Sequence, residues 1–192
     1  MNTNTGSKHA VEQDKTRFLK LISNSASATL GMTLVAVGLL IAVPRANAAT
    51  TVSTADKDFI LAAAQGGMTE VKLGELAAQN GKRDDVKAFG QRMVKDHTAI
   101  NEDLKALAAQ KGATLPKSLD AEHQGIVGKM AALKGSDFDD AYIAGMIQIH
   151  QKDAKAFKAE SAATQDVDIK YFLDKSIPVV ESHLQQATTL KK

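Results

Sequence analysis

The sequence predicts an all-α fold, a bundle of four long amphipathic helices, on three observations. Apolar residues recur at steps of three and four through four long segments, no stretch alternates with period two, and tight links at two places contrast with one long connection. With no Cys and an aromatic content of 4%, the core has to come from Leu, Ile, Val, Met and Ala in closely packed helices.

Residues 1–48 carry the marks of a secretory signal peptide. Four basic side chains lie between residues 8 and 20, an apolar run extends from Thr29 to Val43, and Ala46-Asn47-Ala48 has the small-x-small form of a cleavage site. A spanning helix needs about 20 apolar residues, and this run is shorter and bounded by Pro44 and Arg45. A retained anchor is the alternative, and the long basic region leaves room for a start downstream of Met1. The expected mature domain is 49–192, periplasmic or secreted, with no membrane span once the leader is cleaved.

In the mature part the first long helix is expected after Asp56, a plausible N-cap, with Phe59, Ala63, Gly66, Glu70, Leu73 and Ala77 inward and Asn80-Gly81 as the stop. The second starts near Asp84 or Asp85, keeps Phe89, Met93, His97, Ile100, Leu104 and Leu107 on one face, and ends at Gly112. Residues 113–136 form the connector, with Pro116 and a short helix around Leu119 to Leu133. The third long helix runs from about Asp137 to Ala163 with Phe138, Tyr142, Met146, His150, Ala154 and Phe157 inward. After a tight link at 164–166 the fourth shows a heptad of Ile169, Leu173, Ser176, Val180, His183, Ala187 and Leu190. Pro178 inside it removes a backbone hydrogen bond and predicts a kink before His183. Two helical hairpins joined by a long connector fit a ferritin-like four-helix bundle, with one crossover, better than a plain up-down bundle.

Charge excludes one class of partner. Lys and Arg number 24 against 22 Asp and Glu, and removing the leader takes away Lys8, Lys15, Arg17, Lys20 and Arg45 but only Glu12 and Asp14, so the mature surface is near neutral. Nucleic-acid binding needs a concentrated basic face and stacking aromatics, and the chain has no Trp and only Tyr142 and Tyr171. Protein partners are not legible.

The chemistry-bearing pattern is one inward Glu or His per long helix: Glu70, His97, His150 and His183. Counted from the turns near 82 and 165, the members of each hairpin differ in height by only about 4–5 Å at the helical rise, so the four are expected in one layer. A lone inward His is more often a hydrogen-bonded core residue, but four such groups in one apolar layer need mutual neutralisation. A single divalent transition metal, whether zinc, iron, copper or manganese, satisfies all four and suits imidazole plus carboxylate better than calcium or magnesium. Ordinary imidazoles would make affinity fall below about pH 6.5. Met93 and Met146 stand one turn before inward imidazoles and read chiefly as core filling. Asp96, Asp153, Glu160 and Glu181 are candidate outer partners of the imidazoles, although charges on these helices mostly face solvent. His123 is expected at the surface, and Gly66-Gly67 is read as a place of close helix approach. The alternative is a structural or partner-binding module whose four groups form a metal-free polar network.

The run Met93-Val94-Lys95-Asp96-His97-Thr98 with Asn101 and Leu104, then Tyr142 to Met146 with His150, then Pro178 with His183, resembles the Domain of Unknown Function 4142 family. The resemblance covers about residues 54–190. It implies a ferritin-like bundle in the cell envelope and brings no established activity. Proteins of this family are often labelled outer membrane proteins, a label that sits poorly with a chain lacking barrel strands and a lipid attachment site. Two-metal oxidase sites use Glu-x-x-His on two helices, whereas the residues three before His97, His150 and His183 are Val94, Ile147 and Val180. One metal or none is the resulting expectation, with an enzymatic role left open but disfavoured. A metal-assisted hydrolase would need an open coordination position, and no Ser-His-Asp order or Gly-rich phosphate loop is present.

Overall fold

The computed structural model describes residues 52–191, so the signal peptide, its cleavage site and the anchor alternative lie outside the described residues. Five helices follow in order: α1 (Thr54–Asn80), α2 (Asp84–Gln110), α3 (Ala121–Ala131), α4 (Gly135–Ala163) and α5 (Val167–Leu190). No strand occurs among the described residues, and none of the described helices is long and apolar enough to cross a membrane.

The helix ends follow local chemistry. Ser53, not Asp56, caps α1: the Asp56 amide donates to Ser53 Oγ at 3.0 Å, while the Asp56 side chain accepts from the Ser53 hydroxyl at 2.8 Å. Asp56 is itself buried, inside the first turn. Gly112, at φ +63°, closes the end of α2 in the left-handed conformation that glycine adopts without strain. The connector helix is shorter than expected because Asp120 caps α3, accepting from the His123 amide at 2.9 Å. Helix α5 continues on both sides of Pro178.

Helices α1 and α2 form one hairpin and α4 and α5 the other; α2 packs on α5 and α1 on α4, while α3 lies chiefly along α1. Backbone pairing of Gly81 with Gly135 puts the start of α4 beside the α1–α2 turn. There the buried Asp139 carboxylate accepts the Lys82 and Arg83 amides at 2.9 and 3.0 Å, and Arg83 Nη1 donates to the Leu190 carbonyl at 3.0 Å. These bonds satisfy polar groups that the tight turn would otherwise bury alone. At the opposite end Lys111 bridges Asp166 and Asp168, at 2.7 and 2.6 Å, joining the end of α2 to the start of α5.

Two apolar clusters fill the bundle. One holds Leu73, Phe89, Met93, Tyr142 and Met146, and the other Ile60, Leu104, Phe172 and Leu173. Met93 and Met146 are thus core residues. All seven heptad positions of α5 are buried. In the first half of α1 the buried stripe is Ile60, Ala64 and Gly67, one position beyond the expected Phe59, Ala63 and Gly66.

The closest helix approach also lies elsewhere than at Gly66. A Cβ at Gly90 would stand 2.5 Å from Ala77 Cβ and 2.8 Å from the Gly74 carbonyl oxygen, so α1 and α2 cross at Gly74 and Gly90. Gly67 does meet a neighbour, since a Cβ there would fall 2.0 Å from Asn101 Oδ1, whereas Gly66 faces open space. Gly90→Leu is therefore expected to lower unfolding free energy by about 2 kcal/mol or more through overpacking, and Gly66→Ala to leave it unchanged or raise it by up to about 1 kcal/mol. Urea denaturation of the two variants checks the contrast, and equal destabilisation would contradict it.

Candidate metal centre

Helices α1, α2, α4 and α5 each send one side chain into the layer between the two apolar clusters. Glu70 is 3% exposed, His97 2%, and His150 and His183 0%. The imidazole centroids form a nearly equilateral triangle with sides of 5.1, 5.3 and 5.6 Å, and one ring nitrogen from each lies within 4.8 Å of the others. The four sequence-predicted residues thus meet in one place.

Each ring is held at one nitrogen and left open at the other. His150 Nδ1 donates to the Met146 carbonyl oxygen at 2.8 Å, His183 Nε2 donates to Asp96 Oδ2 at 2.9 Å, and His97 Nδ1 lies 3.0 Å from Glu70 Oε2. His97 Nε2, His150 Nε2 and His183 Nδ1 have no hydrogen-bond partner among the described residues. Fixing one nitrogen selects the tautomer and orients the lone pair of the other, as outer partners of metal-ligating imidazoles do. The sequence supplies the anchors by helical spacing: His150 follows Met146 by one turn, and Asp96 reaches from α2 to α5 while Arg92 holds it at 3.2 Å.

Glu70 occupies the edge of the triangle. Its Oε2 faces His97 and its Oε1 lies 3.4 Å from His150 Nε2, so one carboxyl spans two imidazoles. Asp153, one turn beyond His150, is half-buried and hydrogen-bonds to Glu70. Of the four outer candidates, Asp96 and Asp153 therefore serve the cluster. Glu160 instead pairs with Asp56 near the start of α1, and Glu181 with Lys158. His123 is only half-buried and bonds Asp120 through Nδ1 at 2.7 Å.

Burial decides the protonation states. It pushes His97, His150 and His183 down to about 4, so all three are neutral at pH 7 and their titration lies well below the ordinary imidazole range expected from sequence. The same desolvation pushes Glu70 up to about 7, against the pull of His150 and Asp153, and raises Asp153 well above the usual carboxylate range. Two carboxyls in contact cannot both ionise cheaply, so the pair retains a proton near neutrality. Asp96 is different: burial raises it, but the bonds from His183 and Arg92 outweigh burial and hold it below its ordinary value.

A helical bundle enclosing three tethered imidazoles and a carboxyl pair is the class of protein that this fold and site define. Over residues 42–190 the chain matches the family described as Domain of unknown function (DUF4142), and it belongs to that family. No curated protein and no solved structure matches it.

The two kinds of group impose opposite pH dependences on the metal-free protein. Each imidazole, depressed in the fold, contributes stability that is full above about 6.5 and is lost as pH falls toward 4. Glu70, raised in the fold, contributes stability that is full below about 4.5 and is lost as pH rises through 7. Glu70→Gln removes the second loss, so its stability relative to the unaltered protein should rise steadily from pH 5 to 8. Denaturation midpoints with chelator present, at each pH, measure this; a difference that stays flat or shrinks contradicts the assignment.

Proposed function

We propose that the protein is a ferritin-like four-helix bundle, exported to the periplasm or beyond, that binds one divalent transition-metal ion and serves envelope metal handling or stress protection. The observation that carries the reading is the convergence of three buried, neutral imidazoles, each with one ring nitrogen that has no hydrogen-bond partner among the described residues. Buried polar atoms left unpaired cost about 1–3 kcal/mol each, and one ion relieves three of them at once.

The ligand geometry is within reach. Nitrogens bound at about 2.0–2.1 Å to a tetrahedral ion stand about 3.3 Å apart, so small ring rotations close a triangle whose members already lie within 4.8 Å. His97, His150 and His183 supply the nitrogens, and Glu70 enters either as fourth ligand or as the charge that orients His97. Neutral imidazole with a carboxylate suits zinc, iron, copper or manganese. The ferritin-like reading is supported by the packing of two hairpins joined by a connector that returns along α1. Export is supported by the character of residues 1–48.

A second reading has its own support: Glu70 spans His97 and His150 while Asp96 holds His183, a network that could fix helix register without an ion. Metal analysis of the protein purified without a histidine tag separates the two. The expected result is one transition-metal ion per chain after loading, with a thermal upshift on adding zinc, iron, copper or manganese. His150→Ala and His183→Ala should each lower affinity by at least a hundredfold. Absence of both metal and thermal shift would leave the polar network as the function of these groups.

A further inference from the structure

The centre is buried, yet it is not sealed. A cleft of about 410 Å³ between α1, α2 and α4 has Glu70, His97 and Asp153 among its lining residues. Its walls include Phe59, Ile100, Leu104 and Phe157, and small residues keep it open: Gly66 has open space where a Cβ would project, and Ala63 and Ala156 line the same passage. The stripe offset in α1 makes the cleft, because Ile60 and Ala64 take the core positions and leave Phe59, Ala63 and Gly66 along the opening. Gln65 fixes the connector beside it, donating to the Ser118 carbonyl at 3.2 Å and accepting the Asp120 amide at 3.1 Å.

Three imidazole nitrogens do not exhaust the unpaired polar atoms of this layer. Glu70 Oε1, an acceptor 3.4 Å from His150 Nε2, is also buried without a hydrogen-bond partner among the described residues, and Glu70 lines the cleft. An ion bound by the imidazoles alone leaves that atom unpaired. A water on the fourth position can donate to it.

We propose that the three-histidine ion keeps an exchangeable fourth ligand, a water replaceable by a small anion, which arrives through the cleft and is held by Glu70. This rests on the metal-binding reading and deepens it, turning a storage-type site into one that exchanges ligands with solvent. Closed structural sites fill all four positions with protein, whereas a site with three protein ligands leaves one for solvent or substrate.

Azide added to the cobalt(II)-loaded or copper(II)-loaded protein tests it. The visible or electron paramagnetic resonance spectrum is expected to change saturably with azide. Gly66→Leu, which narrows the cleft without touching a ligand, should keep the metal stoichiometry and weaken or slow azide binding at least tenfold. Normal metal loading with a spectrum indifferent to azide would overturn the open position and leave the metal site standing. Undiminished azide binding in Gly66→Leu would overturn the cleft as the route. Failure of any metal to load overturns the metal reading itself, and this proposal with it.

Discussion

Desolvation of the imidazole layer governs this molecule more than any other interaction. Three imidazoles and a carboxyl withdrawn from water between two apolar clusters would each be costly alone. Their pairing limits the cost only in part: Met146 and Asp96 each engage one ring and Glu70 spans two, yet one nitrogen of every ring has no hydrogen-bond partner among the described residues. The same burial that keeps the rings neutral presents their lone pairs without competition from protons. This level of the bundle therefore lowers stability, a pattern expected where function sets the residues.

The surrounding structure compensates by fixing the ends of the bundle. Asp139 and Arg83 tie three helix termini together at one end, and Lys111 joins α2 to α5 at the other. Between them, Gly74 and Gly90 let α1 and α2 approach closely, which narrows the bundle near the Glu70–His97 pair. Rotamers at the centre are thus limited by packing as well as by hydrogen bonds.

Much of this was legible in the chain. The heptad of α5 marked seven of its eight buried residues and missed only Phe172, which adjoins Leu173 and which the period alone does not rank above it. Glu70, His97, His150 and His183 could be found because a polar group inside an apolar period stands out. The first half of α1 was misread by one position, since Phe59 and Ile60, then Ala63 and Ala64, are adjacent apolar pairs that period alone cannot rank. Asp153 was underrated for a related reason: it sits among exposed lysines and resembles a solvated stripe until its hydrogen bond to Glu70 is seen. The crossing at Gly74 and Gly90 carried little signal, as small residues occur throughout both helices. Ser53 was missed as the cap of α1 because Asp56, three residues on, is an equally good cap type.

The three imidazoles are distributed over both hairpins, one on the first and two on the second, and are far apart along the chain. The second hairpin alone holds a pair, His150 and His183, with ring centroids 5.3 Å apart, but the third imidazole joins them only when the hairpins dock. Full coordination of the proposed ion would therefore follow assembly of the bundle, and the compartment where folding finishes would decide which ion is met. Selectivity of the proposed site would then belong to the place and timing of assembly as much as to the coordination chemistry.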